Sequence, residues 1–475
     1  MKEGRLKNLL GNMALFTIGN FVTKLLVMLL VPFYTSILTT GEYGIADGLQ
    51  ATLLFLVPLL TVNVGEAALR FGIEKKKEAR GIFIVLVRRV LAASIFVGIA
   101  CLLIWQLLLY KGGSFERNAV FALFFAGLFF TDSMYESLVL FCQGCEEVRV
   151  MILGSISCTA LVIAANIYFL LIIKIGLYGY LFAQMISYTG AGLIMVLLMQ
   201  RKGIFCHRNS REEIGELSGE MHAYGRGMLL YSTSSWVNNA LDRYFVLYMC
   251  GAAVNGLYAV AYKVPAILMV FQRIFAQAWQ ISANKSYEDE DSRKFFEKAY
   301  QGYEFLMILV CSGLMMCCQL IARLLFAKDF YYAWTLVPPL LFSVVFGAMT
   351  GFCGSICLAY KDGRSMGRAT GIGALVNIIL NFVGIRLYGA AGAAFATMIS
   401  YFVMFVFANA AACRHSGMRP DRKREALLCL LLLVQVLAEA WQLEFYLIYE
   451  IVGFIIVLLI VGGYFYSEKK RQGSN

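Results

Sequence analysis

The sequence is short of charge. Only 15% of its 475 residues are Asp, Glu, Lys or Arg, where a soluble domain carries about 25%. That deficit excludes a soluble enzyme and a disordered scaffold, and the composition has nothing of a collagen-like fibre. Histidine is scarcer still, with three in the chain. Cys142 and Cys145 form a C-x-x-C spacing with no second pair, so the four ligands of a structural zinc or redox site are not assembled and no metal is expected. There is no G-x-x-x-x-G-K-[S/T] tract, which excludes ATP hydrolysis by a P-loop. No secretory leader is evident either: the first apolar run is long, lacks a small-residue cleavage site and reads as a first span. No loop is long enough for a soluble catalytic domain, so no enzymatic activity is expected.

What the chain has instead is apolar surface. Hydrophobic residues make up 60% of it, and its mean hydropathy is +0.71. A membrane-spanning helix takes about 20 mostly apolar residues, so there is material for a dozen spans or more. Most of the 13 cysteines lie in apolar runs, where Cys behaves as a small hydrophobe. The formal charge of +11 would suggest nucleic acid in a soluble chain; here it reports membrane topology, and no nucleic-acid partner is expected.

Apolar runs separated by charged or Gly-containing loops predict fourteen helices, near 11–37, 43–70, 82–110, 118–142, 150–173, 177–199, 226–250, 256–281, 300–326, 334–359, 366–386, 390–412, 426–442 and 445–466. With the N-terminus in the cytoplasm, 28 Lys and Arg fall in inside segments, 5 in outside loops and 8 within spans. Cytoplasmic loops collect basic residues, so the expectation is a multi-pass protein with both termini inside. The longest loop, near 200–225, divides the chain. The predicted organisation is an N-lobe over 1–200, a cytoplasmic linker over 201–225, a C-lobe over 226–412, and a terminal helix pair with a cytoplasmic tail over 413–475.

An internal repeat supports two lobes. Residues 175–188 read IGLYGYLFAQMISY and residues 385–401 read IRLYGAAGAAFATMISY, each at the loop between the fifth and sixth helices of its lobe. A weaker echo sets Glu42-Tyr43-Gly44 against Gly256-Leu257-Tyr258. Six helices separate the copies, so they face the same way. That is a parallel repeat about an axis along the membrane normal, an architecture of transporters. The fold class is therefore all-α and polytopic: about 14 transmembrane helices, in two six-helix lobes plus two C-terminal helices.

The first lobe carries Pro32-Phe33-Tyr34-Thr35, then Glu42-Tyr43-Gly44, then Pro58-Leu59-Leu60-Thr61 and the end Glu66-Ala67-Ala68-Leu69-Arg70-Phe71; the second carries Asn255-Gly256-Leu257-Tyr258-Ala259-Val260-Ala261-Tyr262-Lys263. These tracts resemble bacterial polysaccharide (O-antigen and capsule-type) flippases of the multidrug/oligosaccharidyl-lipid/polysaccharide exporter superfamily. The resemblance implies a V-shaped pair of lobes with helices one, two, seven and eight lining a central cavity. It implies that an isoprenoid-pyrophosphate-linked oligosaccharide is moved from the inner to the outer leaflet of the bacterial plasma membrane for surface polysaccharide synthesis, beside a polymerase and glycosyltransferases. The related multidrug branch instead exports organic cations, coupled to Na⁺ or H⁺.

Charges inside spans point to the same site independently of the resemblance, because a charge at a helix centre costs about 2.5–3.5 kcal/mol and usually serves function. They are Lys24, Glu66, Asp132, Glu136, Asp242, Arg243, Lys263, Arg273 and Glu304, with Asp47 about one turn inside helix two. Lys24 sits roughly 20 Å from either end of its span at about 1.5 Å per residue, too far to snorkel. Lys263 and Arg273 are close to three turns apart and would share a face of one helix, although Lys263, about two turns inside its span, could instead snorkel to the interface. Arg supplies a bidentate fork and Lys a point charge for a pyrophosphate, so Lys24, Arg243, Lys263 and Arg273 are the candidate substrate-binding set. Asp47, Glu66 and Asp242 are the candidate coupling or charge-balancing acids, with Na⁺ or H⁺ as the coupling ion and no other cofactor. Glu66 and Arg70 could instead pair at i, i+4. Asp132 and Glu136 receive no role, and Glu304 is expected to meet water near an inner helix end.

Overall fold

The computed structural model of the protein describes residues 30–110, 115–207, 209–286 and 291–472. All regular structure among these residues is helical. In chain order the helices are α1 (Val31–Ile37), α2 (Thr40–Leu60), α3 (Val64–Glu74), α4 (Ala79–Tyr110), α5 (Phe115–Gly144), α6 (Val148–Asn166), α7 (Gly176–Arg201), α8 (Arg211–Cys250), α9 (Ala252–Ala261), α10 (Pro265–Ser286), α11 (Ser292–Met316), α12 (Cys318–Leu325), α13 (Val337–Ala359), α14 (Gly363–Ser416), α15 (Arg422–Ala440) and α16 (Tyr446–Gln472). Among the described residues nine helices are long and apolar enough to cross a membrane, and α9 with the first half of α10 makes a tenth, bent by 45°. The protein is a multi-pass, all-helical membrane protein.

Local chemistry explains several boundaries. Pro338 and Pro339 open α13, where the missing amide hydrogens leave no intrahelical bond unmade. Asp362 caps α14, accepting from the Ser365 amide, and Asp421 caps α15, accepting from the Lys423 and Arg424 amides. Gly417 ends α14 in a left-handed conformation (φ 68°). Inside α14, Gly389 at φ 58°, ψ −139° breaks the helix. That break falls in the second LYG tract and separates the helices predicted over 366–386 and 390–412.

Three predicted helices are corrected. The helix over 43–70 is interrupted after Leu60, where Val62 and Asn63 adopt left-handed backbone conformations (φ 55° and 50°). The helix over 256–281 is two helices, because Pro265 lacks an amide hydrogen and crowds Val264 out of helical geometry. The helix over 300–326 ends at Met316 and resumes as the short α12. In addition, residues 211–225 of the expected linker are helical, the opening turns of α8.

Backbone proximity divides the chain into two compact units: Met1–Leu38 with Ala46–Trp236, and Thr39–Ile45 with Val237–Asn475. The first unit is built on a core of α3, α4, α5, α6 and α7 side chains, including Phe71, Ile82, Leu86, Tyr135, Phe141 and Met195, closed by Leu217 and Met221 of α8. In the second unit α13 is the central helix, with 78% of its spanning window buried against 22% for α16, so α16 is the peripheral one. Large apolar side chains along α4 (Leu91 to Ile104) and α16 (Leu447 to Leu459) are exposed, as lipid-facing surfaces require.

The segment Thr39–Ile45 packs onto α9 at two glycines. A Cβ on Gly44 would lie 1.8 Å from the Ala252 carbonyl oxygen, and one on Gly256 would lie 2.0 Å from the Thr40 carbonyl oxygen. Asn255 Nδ2 donates to the Gly44 carbonyl at 2.9 Å. The weaker sequence echo, EYG against GLY, is thus two tracts that touch each other, with glycine required on both sides.

Candidate functional site

One buried ionisable site in the second unit is built around Asp242, which α8 carries at 5% exposure. Tyr258 Oη of α9 and Tyr262 Oη, at the C-cap of α9, both donate to Asp242 Oδ2 at 2.7 Å. The Arg243 amide donates to Oδ1 at 2.9 Å, and Thr397 Oγ1 of α14 stands 3.5 Å from Oδ2. Two elements, α9 with its C-cap and α14, therefore converge through hydroxyls on a carboxylate carried by α8. Tyr258 and Tyr262 are i, i+4 on one face, with hydroxyls 3.4 Å apart. Thr397 comes from the ATMISY tract of the repeat. In the matching AQMISY tract the residue is Gln184, which donates to Tyr180 Oη at 3.0 Å. The tract's serines behave alike in both copies, Ser187 bonding the Ala183 carbonyl and Ser400 the Ala396 carbonyl.

Arg243 follows Asp242 in sequence, but its guanidinium lies 5.3 Å above the Tyr262 ring, a cation–π contact. Lys263 stands in the break between α9 and α10, half-buried. Broken spans are where transporters place polar binding groups, since the unwound backbone and the helix ends are available there. Arg273 is exposed on α10. The 45° bend between Lys263 and Arg273 removes the helical register on which their shared face was expected.

In the first unit, Asp47 is half-buried on α2, and Glu66 is half-buried in the first turn of α3, where a helix N-terminus favours an acid. Arg70 pairs with Glu74 at 3.0 Å and lies 4.7 Å over the Tyr224 ring, so the alternative Glu66–Arg70 pair does not form. Lys24 lies outside the described residues. On α5, Asp132 is half-buried and Glu136 exposed. Glu304 does not meet water: it is 2% exposed and sits 3.5 Å from Arg424, whose guanidinium covers the rings of Phe305 and Tyr464. Cys142 and Cys145 are buried free thiols.

Sequence reasoning missed two features. The tyrosine hydroxyls around Asp242 carry no charge, so span charges alone do not reveal them, although two tyrosines four apart near a span charge are a readable signal. A polar group also lies within the terminal helices. Ser312 Oγ of α11 donates to Gln435 Oε1 of α15 at 2.9 Å, and Gln435 Nε2 donates to Glu450 Oε2 of α16 at 2.9 Å. Glu439 is buried in α15 as well. These acids stand in apolar runs, the same signal that flagged Asp242.

A family model described as polysaccharide biosynthesis protein matches residues 9–280. Among curated proteins, none matches the chain in sequence. Among solved structures, a lipid II flippase, MurJ, in an inward closed conformation is similar at TM-score 0.68 and 17% identity, over 96% of this chain and 99% of that one. An inward-facing multidrug resistance MATE transporter of the MOP superfamily is similar at TM-score 0.61 and 14% identity, over 82% and 95%. A MOP superfamily transporter from Pyrococcus furiosus, described as having a binding pocket of reversed polarity, is similar at TM-score 0.56 and 16% identity, over 84% and 94%. At these identities the likeness is one of fold, and the fold is that of MOP-type transporters.

Proposed function

The chain belongs to the polysaccharide biosynthesis protein family, whose model spans more than half of it, and from that premise we propose that it is a flippase for an isoprenoid-pyrophosphate-linked oligosaccharide. It carries this lipid from the inner to the outer leaflet of a bacterial plasma membrane by alternating access, for surface polysaccharide synthesis beside a polymerase and glycosyltransferases. The family match carries the reading, and the whole-length likeness in fold to a lipid II flippase supports it. Lys24, Arg243, Lys263 and Arg273 neutralise the pyrophosphate. Asp47, Glu66 and Asp242 balance that charge or bind the coupling ion. Asp242 suits an ion role because the partners of its Oδ2 are hydroxyls: each can rotate to donate to the carboxylate or to turn a lone pair toward Na⁺. A cation-coupled antiporter is the second reading, favoured by that same carboxylate.

Translocation of a fluorescent lipid-linked glycan by the full-length protein in sealed vesicles separates the two. The flippase reading expects protein-dependent movement of the glycolipid between leaflets; its absence, with dye efflux present, supports the antiporter. In cells, Lys24→Ala, Arg243→Ala and Arg273→Ala should each abolish surface glycan at normal protein level, and normal display in all three removes the binding set. Both termini are proposed to be cytoplasmic, and the division into two membrane-spanning lobes, a linker and a terminal helix pair is proposed with them. Cys206 is the exposed free thiol among the described residues, so a membrane-impermeant thiol reagent should label it only after the inner membrane is opened.

A further inference from the structure

The first unit holds a cleft that the transport reading does not use. It has a volume of about 320 Å³ and is lined by Val85, Arg88, Arg89 and Ala92 of α4 with Ile214 and Ser218 of α8. Arg88 is exposed and Arg89 half-buried, and neither has an ion-pair or hydrogen-bond partner among the described residues. Arg88 and Arg89 belong to the eight cations the sequence places within spans, within two turns of the predicted start of theirs at residue 82.

The surroundings concentrate positive charge. Ile214, Ser218 and His222 recur every four residues and occupy one side of α8, with Arg226 next along the row. At about 100° per residue the acids of these turns, Glu212, Glu213, Glu216 and Glu220, fall on the other side. One of them, Glu220, is engaged by Lys75 at 2.6 Å. Among the described residues, His222 keeps a buried Nδ1 with no hydrogen-bond partner. Its pKa is lowered, first by burial and then by the charges of Arg89 and Arg226, so the imidazole stays neutral beside the arginines and can give or take a hydrogen bond.

The depth of the cleft is set by the lipid-facing surface. On α4 the exposed large apolar side chains begin at Leu91; on α8 the first is Leu230. Arg88 and Arg89 therefore stand within a turn of where the apolar belt of α4 begins, and Arg226 one turn before that of α8. On the topology proposed above, this places the cleft near the cytoplasmic membrane interface, where phosphate headgroups lie. Val85, Ala92 and Ile214 supply an apolar wall beside the two guanidinium forks. A guanidinium binds phosphate through parallel N–H···O bonds.

We propose that the α4/α8 cleft is a binding site for a phosphate-bearing anionic headgroup at the membrane interface, distinct in its residues from the proposed pyrophosphate set. Its occupant is either a phospholipid of the bilayer or a free phosphate compound. The site does not depend on which cargo the protein carries.

Native mass spectrometry of the full-length protein in non-ionic detergent tests this, with phosphatidylglycerol, phosphatidylcholine and inorganic phosphate as probes. Wild type should retain phosphatidylglycerol over phosphatidylcholine. R88A/R89A should weaken that binding about thirty-fold, the effect of removing two cations from an anionic headgroup, while R88K/R89K falls between. S218W, which fills the cleft and keeps both arginines, should lose binding too, and it serves if the double variant does not fold. R364A/R368A, which removes two exposed cations elsewhere, should change nothing. Displacement of phosphatidylglycerol by inorganic phosphate identifies free phosphate as a competent source; retention despite it identifies the lipid. The proposal is overturned if R88A/R89A and S218W both bind like wild type, or if R364A/R368A weakens binding as much as R88A/R89A.

Discussion

Asp242→Asn is the sharpest test of the polar site. The substitution keeps the size of the side chain and removes its charge. Oδ1 faces the Arg243 amide at 2.9 Å, a donor, so the new amide must keep its oxygen there and turn its NH₂ toward the tyrosines. Tyr258 and Tyr262, which donate to Oδ2 at 2.7 Å, then face a donor and lose both charge-assisted bonds. Hydrogen bonds to charged groups contribute about 1.5–3 kcal/mol each. Tyr258→Phe alone should therefore destabilise the protein by about that much, and so should Tyr262→Phe. Either change should cost far less in the Asp242→Asn background, a coupling of at least about 1 kcal/mol. Thermal unfolding of the four proteins of each cycle in detergent measures it, and surface glycan display measures function, which Asp242→Asn should abolish at normal protein level. Additive stabilities, with coupling near zero, would refute the hydroxyl cage; normal glycan display in Asp242→Asn would refute the coupling role.

Other consequences are equally open to measurement. Gly44→Ala places a Cβ 1.8 Å from a backbone oxygen, about 1.5 Å short of ordinary contact, so it should cost more than the 1–3 kcal/mol typical of overpacking; a thermal midpoint equal to wild type would refute the close approach. Arg424→Ala strands Glu304, which is 2% exposed, and should lower stability by about 3–5 kcal/mol, with most of the loss recovered by adding Glu304→Gln. Asp362 accepts from Ser365 and lies 2.7 Å from His415. The Ser365 bond first, and then His415, hold its carboxyl well below the ordinary range. A depressed folded pKa stabilises above the unfolded value of about 3.9 and stops doing so as pH falls through the folded pKa. Asp362→Asn should thus lower the thermal midpoint at pH 7, with the gap from wild type shrinking below about pH 4.

By itself the sequence determined the class of molecule: an all-helical, multi-pass chain with a helix break at each LYG tract. These properties are local. Hydropathy, charge and glycine or proline punctuation act through the segment that carries them, so a linear reading recovers them. The same reading picked out Asp242 and Lys263, because a charge in an apolar run announces itself. It could not decide partners. Glu66, Arg70 and Glu74 are all within helical reach, and tertiary packing of Arg70 over Tyr224 selected Glu74. The interruption at Val264–Pro265 was written in the proline, yet only the bent backbone showed that it removes the register between Lys263 and Arg273. Above all, the meeting of Gly44 with Gly256, and of Asp242 with Thr397, joins residues far apart along the chain. No periodicity encodes such pairs. They exist only because helix packing brings distant backbones close enough that one side tolerates no side chain and the other offers a hydroxyl.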